Sequence, residues 1–314
     1  HKAIRRQRQM CIRDRTRCDI MKCNQKEGSD IMAKNKLVMP VVKWVGGKRQ
    51  LIDEIKSRIP KTYKTYYEPF FGGGAVLFAL QPKRAVINDL NDSLIKTYRV
   101  IKDNADELIA SLSLHENTSE YFYEIRNEDL YPKTFNLKSE VEIASRLIYL
   151  NKTCFNGLFR VNSSGHFNTP FGNYKNPNIV NEPVIRAVSK YFNDNEISIL
   201  NEDFAAACQC AQKGDFVYFD PPYDPVSDTA SFTGYNAGGF GSEEQTRLKD
   251  LCVELDKNGV KFLLSNSATK FIMELYNSKN FKNKITIDIV KAKRSINSNG
   301  NKRGEVDEVL IRNY

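Results

Sequence analysis

FVYFDPPY, residues 216–223, is the stretch on which the fold and the chemistry turn. Its first four residues are apolar without alternation, as in a strand covered on both faces of a parallel sheet. An acid, two prolines and a tyrosine follow at once, and in open α/β sheets the carboxyl end of a strand is where ligands sit. Proline fixes φ and carries no N–H, so Pro221 and Pro222 present carbonyls without a competing donor. Asp220 and the Pro221 carbonyl can each accept one N–H of an exocyclic amine such as adenine N6. That amine is a poor nucleophile because its lone pair is delocalised into the ring. Two preorganised acceptors pull it toward a pyramidal form and aim the lone pair at a methyl donor. Tyr223 adds a π-face on which a base can stack. Asp220, Pro221, Pro222 and Tyr223 are therefore the candidate catalytic set, and the alternative is a proline-rich turn that merely ends a strand.

Working outward, TYYEPF (65–70) reads as a strand that runs into a glycine-rich turn and a helix, FFGGGAVLF (70–78). Such a turn lets a ligand approach the backbone and exposes a helix N-terminus, which makes Phe70, Gly72 and Gly74 candidate cofactor contacts. Read as GxGxxG the turn is defective, because Leu77 stands where a dinucleotide fold wants a third small residue. RAVIND (84–89) is a second strand ending on Asp89, a carboxylate placed to accept ribose hydroxyls. Turn and acid together indicate an adenosine-containing cofactor without choosing between a nicotinamide and S-adenosylmethionine. Further strands are read at 196–204, 215–223, 261–267, 284–292 and 305–314, the last two as an antiparallel hairpin on a parallel sheet. The expected class is α/β, a Rossmann-like sheet.

Between the second and third strands the pattern changes. Helical periodicity over about 92–112, 118–128 and 138–151 precedes the polar, aromatic run NKTCFNGLFRVNSSGHFNTPFGNYKNPN (151–178). An insertion after a strand's carboxyl end lies over the ligand crevice, where a substrate-reading module belongs. The domains expected are a catalytic part from 32–92 and 196–314, with a target-recognition part at 93–195.

The net charge of +9 and pI near 9.0 suit a polyanionic partner, but the charge is uneven. Residues 1–31 carry nine Lys/Arg against four Asp/Glu, so more than half of the excess lies there. They lack an apolar period and a secretory signal, and MCIRDR (10–15) resembles a translated sequencing adapter. We read them as a non-native leader, with the natural chain expected to start near Met32; a basic nucleic-acid-binding arm is the rival reading. Seven cysteines without a CxxC pair and three histidines provide no zinc-ligand spacing, so no metal is expected. No apolar run approaches a membrane span, and a reduced cytoplasmic protein is expected. None of the eleven prolines precedes a cysteine, so the Pro-Cys nucleophile of cytosine-C5 methylation is missing.

These blocks together resemble the DNA adenine methylase family, the GATC-methylating group with relatives in restriction–modification systems. The resemblance runs from about Val42 to Ile311 through KWVGGKRQL (43–51), EPFFGGG (68–74), INDLN (87–91), FNGLFRVN (155–162), FNTPFGNYKNP (167–177), FVYFDPPY and KRSINSNG (293–300). It implies S-adenosylmethionine as methyl donor, contacted by Trp44, Lys48 and Asp220, its ribose held by Asp89 and its adenine met by Asp203 and Phe204. It implies double-stranded DNA as partner, with Lys43 reading an outer guanine and Phe155 entering the duplex as a wedge. Asn156, Leu158, Arg160 and Pro170 take base-reading positions, Arg160 with the bidentate guanine geometry of arginine. Some relatives have a tyrosine at the wedge and an arginine at position 173; this chain has Phe155 and Asn173. A restriction endonuclease is a functional partner that such a resemblance implies. Rival readings are methylation of an RNA adenine or a protein glutamine, a DNA-binding module with a dead cofactor pocket, and a nicotinamide oxidoreductase.

Overall fold

Four strands of the sheet end level with one another, and that alignment creates the site. In the computed structural model, which describes residues 34–48, 50–226, 239–277, 279–293 and 305–314, the strands are β1 (Tyr66–Glu68), β2 (Arg84–Asn88), β3 (Glu196–Leu200), β4 (Phe216–Phe219), β5 (Lys261–Ser267), β6 (Thr286–Lys293) and β7 (Glu305–Arg312). Their order is β3-β2-β1-β4-β5-β7-β6. The first five strands pair in parallel, while β7 runs antiparallel to both β5 and β6. All seven expected strands are present, with the expected antiparallel pair at one edge. The predicted leader (1–31), Arg49 and positions 294–300 of KRSINSNG lie outside the described residues.

Chain order reverses between β1 and β4, the switch point at which a doubly wound sheet opens its crevice. Tyr66 pairs with both Ala85 and Phe216, so the segments following Glu68 and Phe219 leave the sheet side by side. All four residues of β4 are buried, as an apolar run without alternation requires.

Several elements are shorter than their sequence patterns. The third strand stops at Leu200, and Phe204 instead begins a short helix, Phe204–Ala207, whose N-cap Asp203 accepts from the Ala205 amide. The stretch 92–112 is two helices, Asp92–Asp103 and Ala105–Leu112, broken at Asn104, whose φ of −135° and ψ of 43° leave the helical region. The helix Glu182–Asp194 was not read in the sequence, although it carries six buried residues on one face.

The core of the sheet continues into the insertion. Leu94, Tyr98 and Ile101 from one helix and Val184, Ile185 and Phe192 from another belong to the same buried cluster as Tyr66, Phe78 and Ile87. A smaller cluster of Phe122, Ile125, Tyr149, Leu150, Cys154 and Phe167 lies beneath the loop that follows helix Glu140–Thr153. The described residues from Asn35 to Tyr314 form one compact unit.

Candidate active site and nucleic-acid interface

The charge centre is a salt bridge across the mouth of β4. Lys48 Nζ lies 2.6 Å from Asp220 Oδ1, donates to the Gly46 carbonyl at 2.7 Å and stands 4.5 Å from the centre of the Tyr223 ring. The lysine is only 8% exposed. Burial pushes the Asp220 carboxyl above its ordinary value, and the adjacent Lys48 ammonium works against that shift. Ser265 Oγ, at the level of β5, donates to the same carboxylate oxygen at 3.1 Å. Tyr223 donates its hydroxyl to Glu308 Oε2 at 2.7 Å; burial, then Asp220 and Glu308, raise its pKa well above that of free tyrosine, so it stays protonated.

The two prolines do not hold their loop alone. Gln245 Nε2 donates to the Pro222 carbonyl at 2.9 Å, and Asn266 Oδ1 accepts the Asp224 amide at 3.0 Å. Gln245 and Asn266 are bonded to each other at 3.1 Å and wholly buried. These supporting residues were missed in the sequence. Gln245 lies in a helix and Asn266 at the polar end of KFLLSNS, and neither segment by itself marks its partner on the loop.

On the β1 side, Gly72 and Gly74 have φ of +50° and +70°. A Cβ on Gly72 would stand 2.9 Å from Trp44 Cδ1, and one on Gly74 would stand 2.4 Å from the Phe71 ring. Glycine is therefore required at both positions by conformation and by space. Asp89 ties this turn to β2. Its Oδ2 accepts the Gly72 amide at 2.8 Å and its Oδ1 the Asn91 amide at 2.9 Å, while burial raises its proton affinity. Asn88, also missed, bonds Pro69 O and both backbone groups of Glu202, tying together the ends of three strands.

Phe70 stacks on Phe204 at 5.4 Å between centroids and meets Phe240 edge-on at 5.5 Å. Asp203 caps the Phe204 helix and pairs with Arg247 at 3.0 Å; that guanidinium lies 4.9 Å from the Phe204 ring centre. Glu68, the last residue of β1, is another group not singled out in advance. It is 2% exposed, accepts from the Tyr66 hydroxyl at 2.8 Å and the Leu77 amide at 3.1 Å, and burial pushes it up to about 8.

The recognition candidates lie on a separate, exposed loop. Phe155 is 54% exposed, and its amide donates to the Pro170 carbonyl at 2.9 Å. Asn156 takes φ of +58° and donates its amide to the Tyr174 hydroxyl. Arg160 Nε donates to Asn168 Oδ1 at 2.7 Å, and the Leu158 carbonyl accepts from the Thr169 hydroxyl at 2.6 Å. The loop closes through two isolated bridges, Cys154↔Phe171 and Val161↔Phe167. Lys43 is exposed, its stem against Gly157 at the loop's base, and Trp44 stacks on Phe159 at 4.8 Å. The structure thus gathers Trp44, Lys48, Gly72, Asp89 and Asp220 around the switch point and keeps Phe155 to Pro170 on the loop.

Residues 44–296 match the family described as D12 class N6 adenine-specific DNA methyltransferase. The chain belongs to that family. It is 44% identical over 288 residues to the type II methyltransferase M1.LlaDCHI of Lactococcus lactis subsp. cremoris, covering 91% of this chain and 99% of the relative. It is 41% identical over 297 residues to the type II methyltransferase M.MjaIII of Methanocaldococcus jannaschii, covering 88% and 99%. The DNA adenine methylase of Escherichia coli K12 is 34% identical over 284 residues, covering 89% and 95%. This D12 methyltransferase acts on adenine in DNA, and its matched segment includes the Trp44–Lys48 strap, the glycine turn, the exposed loop and Asp220. Among the described residues, no helix is long and apolar enough to cross a membrane and no group of His, Cys, Asp or Glu could hold a metal ion.

Proposed function

We propose that the protein transfers a methyl group from S-adenosylmethionine to adenine N6 within GATC in duplex DNA, after flipping the base into the crevice beside Asp220. The observation that carries this reading is the meeting of Lys48, Asp220 and Tyr223 at the β1/β4 switch point, next to a turn that only glycine can make.

The residues fit the donor. Asp89 uses one lone pair of each oxygen on backbone amides and has others for ribose hydroxyls. Phe70, Phe204 and Phe240 provide aromatic faces for an adenine, and Asp203 stands at the adjacent helix start. Asp220 and the face of Tyr223 hold the Lys48 ammonium, whose charge balances the carboxylate. When bound, S-adenosylmethionine supplies an activated methyl on a sulfonium, and the protein's part is positioning and exclusion of water.

Asp220 accepts one N–H of the target amine and the Pro221 carbonyl the other. Gln245 and Asn266 hold that loop rigid, so the acceptors need little reorganisation. Tyr223 stacks on the flipped base with its hydroxyl anchored on Glu308. Flipping costs a few kcal/mol, which the exposed Phe155 ring offsets by stacking in the duplex. Lys43, Asn156, Leu158, Arg160 and Pro170 read the site from the recognition part at 93–195. In the cytoplasm a restriction endonuclease partners the activity, as the type II names of two relatives suggest.

The test is transfer of labelled methyl from S-adenosylmethionine to two duplexes, one with GATC and one with its outer guanines changed. Label on the GATC duplex alone is expected. Label on both overturns the recognition site, and label on neither, with label on RNA or a protein glutamine instead, overturns the substrate.

A further inference from the structure

Residues 43–48 carry the donor-side candidates Trp44 and Lys48, yet they form neither helix nor strand. One side chain ties the start of this segment to the recognition loop. Asn151, 2% exposed near the end of helix Glu140–Thr153, accepts the Lys43 amide on Oδ1 at 2.8 Å and donates Nδ2 to the Lys43 carbonyl at 2.7 Å. The same Nδ2 donates to the Gly157 carbonyl at 3.1 Å, inside the recognition loop. The strap and the loop are thus joined through one amide. Two packing contacts run in parallel with it. Trp44 stacks on Phe159 at 4.8 Å with 23° between planes, and a Cβ on Gly157 would stand 2.9 Å from the Lys43 stem.

We propose that Asn151 is a positioning residue that couples DNA recognition to donor binding, so that each ligand tightens the other. The inference rests on the assignment of the strap to the donor and the loop to DNA given above. A duplex that orders residues 155–160 fixes the Gly157 carbonyl and the Phe159 ring, and through Asn151 and Trp44 fixes the strap. Lys48 is then held at Asp220 before the donor arrives. By reciprocity the donor raises DNA affinity by the same factor.

The test measures affinity for S-adenosylhomocysteine, which cannot react, with and without a saturating GATC duplex. Wild type is expected to bind it at least about fivefold tighter with DNA present, the lower end of ordinary coupling. Asn151→Ala is expected to bind each ligand alone within about threefold of wild type while the coupling factor falls toward one. If that variant does not fold, Phe159→Leu, which keeps the amide bonds and weakens the stack, carries the test and is expected to lower the factor as well. Coupling unchanged in whichever variant folds, or absent in wild type that binds both ligands, overturns the proposal. Wild type that binds neither ligand overturns the assignment of the site beneath it.

Discussion

The switch-point floor and the recognition loop solve opposite problems. On the floor, Lys48 is buried and Asp220 and Tyr223 are partly buried, and their charged and hydroxyl groups are held by one another, by Ser265 of β5 and by Glu308 of β7. On the loop, Phe155, Asn156, Arg160 and Pro170 are exposed, and what is fixed is backbone, through Pro170 to Phe155 and Tyr174 to Asn156. On the proposed assignment, chemistry rests on partly buried electrostatics, whereas selectivity rests on side chains presented by a braced backbone. Substitutions on the floor should therefore act on rate and stability together, and those on the loop should act on sequence choice.

The largest effect is expected at Asp220. Asp220→Ala should lower turnover by at least about 10²–10³-fold, the range for losing one preorganised contact to the reacting centre. It should also destabilise the fold by about 3–5 kcal/mol, because Lys48 loses its partner in a buried site. Labelled transfer and a denaturant melt measure the two effects. Loss of rate without loss of stability would mean that Lys48 has reached solvent.

Glu68 makes the same contrast visible in pH. Its folded proton affinity, about 8, lies above that of an unfolded glutamate near 4.5. The folded state then holds more protons between those values, and stability falls as pH rises through that window, then levels off above about 8. Glu68→Gln, which keeps an acceptor for Tyr66 and Leu77, should flatten that slope and be the more stable protein at pH 9. Urea midpoints from pH 5 to 9 check it, and parallel curves for both proteins would place the ionised form in the fold.

On the loop, Arg160→Ala should reduce discrimination at one guanine by about 1–3 kcal/mol with little change in maximal rate on the best site. Rates on a panel of single-base variants measure this; an equal loss on every duplex would make Arg160 a phosphate contact. The smallest effect is expected at Asn173, exposed with φ of +52°. Asn173→Arg should add about one to the salt slope of DNA binding while costing about 1–2 kcal/mol of stability for a longer side chain in the left-handed region. Affinity titrations over a range of salt would show it, and an unchanged slope would place position 173 away from the backbone.

Much of the floor was legible in the sequence because it is local. FVYFDPPY places an acid at a strand end, FFGGG marks a turn with positive φ, and RAVIND ends on the acid that binds that turn. The residues that brace the floor were not legible, since Asn88, Gln245 and Asn266 act across 114, 23 and 42 residues of chain. The helix break at Asn104 was hidden for a different reason. Its apolar spacing continues through the break, and only the backbone angles reveal it. The tie from Asn151 to Lys43 spans 108 residues and has no pattern in either segment.

The most direct test of the proposed chemistry is nucleoside analysis of a GATC duplex incubated with S-adenosylmethionine and either wild type or Asp220→Ala. N6-methyl-2′-deoxyadenosine is expected with wild type and none with the folded variant. Comparable product from both would contradict it, because the buried floor would then not be where the methyl group is received.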